Sequence, residues 1–306
     1  MKTIIPLSAS LVATLLVVAV PALAAGPINE SRALDPRGRV EVENIKGSIE
    51  VRAWDRPEVR IEGTLGDGVE KLEIEGGGKR LRVKVKYPSR NGMLNFGNRE
   101  RTGPTVLRLM VPLRADLDLS AVAADITAWG IAPASLKIQN VSGDTKVAGA
   151  PDDVEVNSVS GAVDLTINRG NLRAESVSGD IRVSGRLGEE VDVESVSGDI
   201  VLRVLDSAVR RLDGASVSGD MSLQMTLAPR ARVRLESVSG DVDLRLPRST
   251  SAEVRAESFS GTLRAPGATV QRPQHGPGSS LRQRYGAGDA DVSIETFSGD
   301  AELRLD

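Results

Sequence analysis

Residues 176–181 read Ser-Val-Ser-Gly-Asp-Ile, and close copies of this stretch stand at residues 195–200, 216–221 and 237–242. A shorter form, Val or Phe followed by Ser-Gly, extends the series in both directions along the chain. The glycines of the eight copies are Gly143, Gly161, Gly179, Gly198, Gly219, Gly240, Gly261 and Gly299. Successive copies are 18, 18, 19, 21, 21, 21 and 38 residues apart, which indicates one structural unit repeated along the chain.

Apolar and polar residues alternate on both sides of each copy. Val191 and Val193 share a phase with Ser195, and a new apolar phase begins at Ile200 after the glycine. Period-2 alternation is typical of β-strands with one buried face, so the change of phase predicts a corner at Ser-Gly. Glycine suits a corner because it adopts positive φ without strain, and the eight glycines are therefore predicted to be structural corner residues.

Two all-β architectures fit this unit. In a single-stranded β-solenoid, each unit of 18–21 residues is one coil, and equivalent residues of neighbouring coils stack directly. In an antiparallel meander, each Ser-Gly is instead a hairpin turn. Near-constant spacing and identical corner residues favour the solenoid. Inward serines such as Ser176 and Ser195 would then form a ladder whose hydroxyls bond to the next coil.

The first residues have the layout of a secretory signal peptide. Lys2 precedes an apolar run, Pro21 ends it, and Ala22-Leu23-Ala24 supplies small residues for cleavage after residue 24. No later stretch reaches the roughly 18 apolar residues that a membrane-spanning helix requires. The sequence therefore predicts an exported protein, periplasmic or at the cell surface or secreted, with no transmembrane segment once residues 1–24 are removed.

The remainder divides by the regularity of its pattern. Residues 25–37 are predicted to be a linker, and residues 38–115 a less regular N-terminal β region that caps the solenoid. Residues 116–306 are predicted to be the Ser-Gly solenoid. Residues 264–290 are rich in Gly, Pro, Gln and Arg, which predicts a loop insertion between the last two Ser-Gly units.

Composition excludes several kinds of site. The 306 residues include no Cys and one His, and the formal charge is −3. Disulfides, thiolate nucleophiles, iron–sulfur clusters and multi-histidine metal sites are thereby excluded, and near-neutral charge argues against nucleic-acid binding. His275 lies in a loop sequence with no neighbouring acid, so it is predicted to be solvated rather than catalytic. No cofactor site is predicted.

An aspartate follows most corner glycines. Stacked carboxylates repel unless a cation bridges them or backbone N–H groups donate to them, so Asp180, Asp199, Asp220 and Asp241 are candidate Ca²⁺ ligands. The favoured interpretation is turn capping, because Ala162 and Thr262 interrupt the column. The sequence thus predicts no catalytic residue and, apart from these four candidates, no metal site.

The arrangement of an exported chain with a weak N-terminal β stretch and repeated Ser-Val-Ser-Gly-Asp units resembles the bacterial DUF4097 family of "putative adhesins". The copies at residues 176–181, 195–200, 216–221 and 237–242 carry the resemblance, together with Thr296-Phe297-Ser298-Gly299-Asp300. It covers about residues 38–306. It implies a β-solenoid-like envelope or surface protein, and it supplies no catalytic residues.

These observations predict a non-enzymatic, adhesin-like interaction or structural module of the cell envelope. Its partner would be a protein or an envelope or surface glycan. One alternative is a β-helical polysaccharide-active enzyme, against which the scarcity of aromatic residues counts. Another is a self-assembling scaffold formed by end-to-end association of coils.

Overall fold

The computed structural model of this chain describes residues 26–88 and 102–306. The signal peptide predicted for residues 1–24 lies outside them, as does a part of the predicted N-terminal β region, residues 89–101. Within the described residues the secondary structure consists of twenty β-strands. No helix in these two stretches is long and apolar enough to cross a membrane.

The strands begin almost at the first described residue and continue to the last. In chain order they are β1 (Pro27–Trp54), β2 (Glu58–Thr64), β3 (Lys71–Lys86), β4 (Thr105–Pro112), β5 (Asp116–Ile131), β6 (Ser135–Ser142), β7 (Thr145–Gly149), β8 (Asp153–Ser160), β9 (Val163–Ile167), β10 (Asn171–Ser176), β11 (Ile181–Gly185), β12 (Glu190–Ser195), β13 (Ile200–Ser216), β14 (Met221–Ser237), β15 (Val242–Leu246), β16 (Ala252–Ser258), β17 (Leu263–Arg264), β18 (Ser279–Tyr285), β19 (Ala290–Thr296) and β20 (Ala301–Leu305).

Neighbouring Ser-Gly units pair in parallel and in register. Ser176 in β10 lies between Ser158 in β8 and Ser195 in β12, and beyond the corner Ile181 in β11 pairs with Ile200 in β13. Two parallel stacks of strands, joined at the Ser-Gly corners, therefore run side by side. The fold is all-β and β-solenoid-like, as predicted, and a meander is excluded for these units because its neighbouring strands would be antiparallel.

The space between the two stacks is filled by aliphatic side chains. Among the described residues, the buried hydrophobic core contains only Val, Ile, Leu, Ala and Met. An inward column of polar residues lies at the corner, and its serines are Ser158, Ser176, Ser195, Ser216, Ser237 and Ser258. The prediction of an inward serine ladder is confirmed, since each of these is buried, and the narrow interior explains why the chain contains so few aromatic residues.

The units at the C-terminal end are out of chain order. β19 pairs with β14 on one side and β16 on the other, and β20 lies between β15 and β17 in the same way. The unit of residues 290–305 is thus inserted between two units that precede it in the sequence. The chain must travel back past one unit to reach this place, which explains the double interval between Gly261 and Gly299.

The N-terminal end is arranged in the same way. Val40 in β1 lies between Leu81 in β3 and Leu117 in β5, and the second half of β1 lies between β4 and β5. The first unit of the stack is therefore also covered by a unit that follows it in the chain.

Antiparallel strands stand at both ends. Residues 27–33, within the predicted linker, form the first part of β1 and pair with β2, which also pairs with β4. At the other end β18, within the predicted loop insertion, pairs with β16. These strands cover edges that parallel stacking would leave unpaired.

Candidate interaction groove along the Ser-Gly corner

The corner glycines stack so closely that none has room for a side chain. A Cβ atom on Gly198 would overlap the carbonyl group of Gly179 in the neighbouring unit, and Gly219 meets Gly198 in the same way. Positive φ angles of 140° and 129° are found at Gly143 and Gly161. At the other corner glycines the close approach of two backbones, rather than φ, requires the residue type.

The inward serines stabilise the corner to which they belong. Oγ of Ser176 accepts the backbone N–H of Gly179 at 2.9 Å, and Oγ of Ser195 accepts that of Gly198 at 2.9 Å. The prediction that these hydroxyls bond to the next coil is wrong, because the bond closes within the turn, from residue i to residue i+3. The hydroxyls of Ser176, Ser195, Ser216 and Ser258 thus each accept a backbone N–H of their own corner, and the hydroxyl of Ser237 donates to the carbonyl of Gly240.

The residue after each inward serine faces outward. Val196 follows the buried Ser195, and it stands beside Val177 of one neighbouring unit and Val217 of the other. We call the resulting row the corner ladder. In stacking order its members are Ile45, Val122, Val141, Val159, Val177, Val196, Val217, Val238, Phe297 and Phe259. Each is between 44 and 53% exposed, so ten large apolar side chains form one solvent-facing row.

A groove runs beside the corner ladder. Its volume is about 990 Å³, and its lining extends from Ser120 and Val141 to Phe297. The ladder forms one side, the inward serines form the floor, and the residues that precede those serines form the other side. In the C-terminal part of the groove this second side is acidic except at Ala215, and the carboxylates are Glu175, Glu194, Glu236 and Glu295.

On the acidic side of the groove, the carboxyl group of Glu194 has a raised pKa. Burial is the main cause of the raised pKa of Glu194, and the neighbouring carboxylates of Asp192 and Glu175 add to it. Asp192 lies outside the groove, two residues before Glu194; burial also raises its pKa, and the charge of Arg173 acts in the opposite direction. Negative charge along this side is therefore only partly neutralised by the protein itself.

The aspartates after the corner glycines form a second acidic row with a structural role. Oδ1 of Asp199 accepts the backbone N–H of Asp220 at 3.0 Å, and Oδ1 of Asp220 accepts that of Asp241 at 2.8 Å. In the same way, Oδ1 of Asp241 accepts the backbone N–H of Asp300 at 2.8 Å. Each carboxylate thus caps the next unit in the stack.

The four Ca²⁺ candidates belong to this row. Oδ1 of Asp180 accepts the backbone N–H of Asp199 at 3.1 Å, and Oδ2 of Asp180 pairs with Arg182 at 2.8 Å. In the part of the chain that the structure describes, no three acidic or histidine side chains come together in a way that could hold a metal ion. Ca²⁺ binding by Asp180, Asp199, Asp220 and Asp241 stays a prediction.

The only aromatic members of the corner ladder lie together at its C-terminal end. Phe297 and Phe259 stack with ring centroids 4.7 Å apart and an angle of 4° between the rings. Glu295 and Glu257 precede them by two residues, and both border a second hollow beside Phe259. An apolar platform and two carboxylates therefore meet at this end of the groove.

Three arginines of the predicted loop insertion turn toward acidic partners in the fold. Arg282 and Arg284 lie 3.3 and 3.7 Å from Glu253, and Arg264 lies 3.8 Å from Asp300. His275 is exposed, as the sequence predicts.

Sequence reasoning missed the corner ladder, although the signal was present. Ser195 shares its phase with the inward Val193, so the adjacent Val196 had to face outward. Repeated Val or Phe at that position is then a repeated exposed apolar residue. Phe259 and Phe297 carry the same signal, since both replace this valine.

A family model described as Toastrack DUF4097 matches residues 39–304 of this chain. None of the curated proteins matches the sequence.

Several solved structures are similar over most of the chain. One is a "putative adhesin" from Parabacteroides merdae, with 12% identity, a TM-score of 0.50, and coverage of 90% of this chain and 95% of that one. A "putative adhesin" from Bacteroides fragilis has 10% identity, a TM-score of 0.45, and coverage of 91% and 97%. A "putative lipid binding protein" from Parabacteroides distasonis has 11% identity, a TM-score of 0.48, and coverage of 90% and 96%. At these identities the likeness concerns the fold alone.

Proposed function

Because this chain belongs to the Toastrack DUF4097 family, we propose that it is an exported, non-enzymatic interaction module that contacts a partner at the cell envelope or surface through its corner groove. The proposal includes the finer architecture, in which each interval of 18–21 residues is one coil of a single-stranded β-solenoid. A rod of such coils offers a long, regular surface, and the groove places a row of apolar side chains on it.

One observation carries the proposal, namely the unbroken row of ten half-exposed apolar side chains. Isolated exposed hydrophobic residues are normal on soluble proteins, whereas a contiguous exposed apolar patch marks an interaction surface. The ladder gains little stability from its apolar character, because its side chains remain in contact with water. Serine occupies the next position of every Ser-Val-Ser-Gly unit, so a polar residue is compatible with this region of the corner.

Site-specific photo-crosslinking in cells tests the proposal. A photoreactive residue placed at Val196 or Val217 should crosslink the protein to one discrete partner species. The matched control is Asp206, which is exposed on the stretch of β13 between the two stacks and lies outside the groove. Equal crosslinking from Asp206, or no crosslinking from either Val196 or Val217, would contradict a groove-mediated interaction.

The absence of enzymatic activity is part of the proposal and has its own test. The alternative of a polysaccharide-active enzyme is favoured by the raised pKa values of Asp192 and Glu194, because a raised pKa makes a carboxylic acid a better proton donor to a leaving group at a given pH. We expect no turnover in a hydrolase and lyase screen on anionic polysaccharides. Turnover that is lost in Glu194→Gln would establish the enzyme instead.

Self-assembly is the second alternative, and it is favoured by the strand β18, which lies at one end of the stack that contains β16. β18 pairs with β16 along its length, whereas its other side meets the chain through a single bridge between Ser280 and Gln271. Arg282 and Arg284 on β18 oppose edge-to-edge pairing. We expect light scattering from the purified protein to be independent of concentration, and growth of scattering with concentration would support the scaffold.

A further inference from the structure

The part of the corner groove from Val177 to Phe259 combines an apolar row with acidic rows on both sides. The row on the groove side consists of Glu175, Glu194, Glu236, Glu295 and Glu257, with Ala215 at the equivalent position between Glu194 and Glu236. The row beyond the corner glycines consists of Asp180, Asp199, Asp220, Asp241 and Asp300. Toward the N-terminal end the groove side becomes neutral, with Asn157, Gln139 and Ser120 at the equivalent positions.

We propose that this acidic part of the groove binds a basic amphipathic α-helix of a partner protein, its apolar face on the corner ladder and its Lys and Arg side chains toward the flanking carboxylates. The inference rests on the proposed function and names the chemistry of the partner.

The backbone of the corner offers no free edge for a strand to join. The N–H of Val196 donates to the carbonyl of Ser176, and the N–H of Ser197 donates to that of Val177. The same pair of bonds recurs in the next units, where Val217 and Ser218 donate to the unit before them. A partner must therefore bind through its side chains. An α-helix binds in this way, whereas a β-strand that joins a sheet edge binds mainly through its backbone.

The spacing of the ladder suits a helix that lies along it. Successive members of a parallel stack are about 4.8 Å apart, close to the helical pitch of about 5.4 Å, so one apolar residue per turn meets about one rung. An extended chain repeats its side chains on one face about every 6.6 Å and soon loses register. The six rungs from Val177 to Phe259 span about 24 Å, which corresponds to a helix of about 16 residues.

Charge complementarity selects a basic partner and opposes a second copy of this chain. Two copies facing each other through the ladder would bring acidic rows against acidic rows, which is repulsive. Among the described residues, Glu194, Glu295 and Glu257 have no ion-pair partner, whereas Glu175 pairs with Arg173 at 2.8 Å and Glu236 pairs with Arg234. Lys and Arg from a helix would supply the missing counter-charges.

The stacked rings of Phe297 and Phe259 give the groove an anchor at one end. Both rings are about half exposed, and Glu295 and Glu257 stand near them. A guanidinium or ammonium group that contacts an aromatic ring while it pairs with a carboxylate satisfies both interactions at once. The first basic residue of the helix is expected to lie here.

A designed peptide tests the inference directly. The probe is a fluorescein-labelled peptide of 16 Leu and Lys residues with the leucines on one helical face, titrated with the mature protein at physiological salt. Fluorescence anisotropy should report saturable binding, and circular dichroism should show that the peptide becomes helical. A scrambled peptide of the same composition should bind about tenfold more weakly, because it lacks a continuous apolar face.

Two groove variants separate the apolar from the electrostatic contribution. We expect Val177→Ser/Val196→Ser/Val217→Ser and Glu194→Gln/Glu236→Gln/Glu295→Gln each to weaken binding of the peptide about tenfold or more. The second should also reduce the dependence of binding on salt. The matched control, Asp152→Asn/Glu189→Gln/Asp206→Asn, removes the same charge at exposed positions outside the groove and should leave binding unchanged.

Each other outcome overturns the inference. Equal binding of the scrambled peptide, or equal weakening by the control variant, would show unspecific attraction to an acidic protein. A wild-type dimer that dissociates in the triple Ser variant would assign the ladder to a second copy, and saturable uptake of a fluorescent fatty acid would assign it to an acyl chain. Groove-dependent crosslinking without peptide binding would retain the proposed function and reject the helix.

Discussion

At each Ser-Gly corner the fold requires a residue without a Cβ atom. A methyl group on Gly198 would meet the carbonyl of Gly179 in the adjacent unit. That carbonyl belongs to a stacked backbone, so it can move only if the neighbouring units separate. We therefore expect Gly198→Ala to destabilise the protein by about 3 kcal/mol.

Urea unfolding followed by circular dichroism measures this loss. Gly26→Ala is the control, since a Cβ there meets nothing within 4 Å and the change should be nearly neutral. Equal stability of Gly198→Ala and the wild type would show that the corner opens more easily than the structure implies.

The aspartate row can be tested by separating the charge from the hydrogen bond. Asp220 accepts the N–H of Asp241, and asparagine at position 220 retains an acceptor oxygen whereas alanine does not. We expect Asp220→Ala to lose about 1 kcal/mol and Asp220→Asn to remain close to the wild type. Thermal unfolding of both variants measures the difference.

The same variants decide the role of Ca²⁺. If the row serves only to cap the next unit, added Ca²⁺ leaves the melting temperature of the wild type unchanged. A rise with Ca²⁺ that disappears in Asp220→Asn would establish the cation site.

Residue types predicted the interior of the corner well and its exterior poorly. The inward phase of Ser195 follows from its alternation with Val193, and the structure confirms it. The hydrogen-bond partner of its hydroxyl could not be predicted from the sequence, because alternation gives the direction of a side chain and not the position of the nearest donor. The outward Val196 was likewise hidden, since a hydrophobic residue is usually assigned to a core.

At the scale of elements, the inserted C-terminal unit is the feature that chain order conceals. Arg234 in β14 pairs with Ser293 in β19, and Ser293 in turn pairs with Arg255 in β16. Arg234 and Arg255 are therefore two strands apart. If the units stacked in chain order, these two residues would be direct neighbours.

Engineered cysteines test this order, and the absence of native cysteine makes the result unambiguous. Arg234→Cys/Ser293→Cys places two Cα atoms about 4.8 Å apart, within the range of a disulfide. Arg234→Cys/Arg255→Cys places them about 9.6 Å apart, beyond that range. We expect an intramolecular disulfide in the first variant alone, detected by its mobility before and after reduction. A disulfide in the second variant would require sequential stacking.

The existence of the strands could be predicted because each carries its own alternation. Their order at the two ends could not, since the edges of β14 and β16 present similar alternating faces to any incoming strand. The doubled interval before Gly299 indicated that the repeat is irregular there. A loop insertion would produce this interval, and so would a strand that returns along the stack.

At the scale of the whole molecule, parallel in-register stacking places like residues above one another. The benefit is a continuous core, and the cost is that like charges form rows. Asp192 and Glu194 show this cost, because burial and neighbouring carboxylates raise both of their pKa values. A carboxyl whose folded pKa exceeds its unfolded pKa makes the folded state less stable as pH rises through the interval between them.

We therefore expect Glu194→Gln to raise the melting temperature at pH 7. Burial disfavours the ionised form of Glu194 in the folded state, and glutamine at this position removes that cost. The difference should shrink as pH falls below the ordinary value of 4.5, where glutamate is protonated in both states.

Glu189→Gln is the control of opposite sign. Arg210 lowers the pKa of Glu189 through a hydrogen bond and its charge, so the ionised carboxylate stabilises the fold. This variant should melt at a lower temperature than the wild type at pH 7. Melting curves at pH 3, 5 and 7 measure both effects, and a lower melting temperature for Glu194→Gln at pH 7 would contradict the assigned shift.

The family and the β-solenoid-like architecture could be predicted at this scale, because eight copies of one signature leave few alternatives. The groove could not, since it arises only when the corners align. Its long acidic part depends on the alignment of Glu175, Glu194 and Glu236, which belong to different units of the stack.

The interleaved C-terminal unit also has a consequence for biosynthesis. Residues 252–264 emerge from the ribosome, and from any translocation channel, before the strands that will separate them from β14. They cannot reach their final neighbours until residues 290–305 have been delivered, so this end of the rod closes late and in one step. A chain interrupted before that point keeps an unsealed end, which a quality-control protease can recognise.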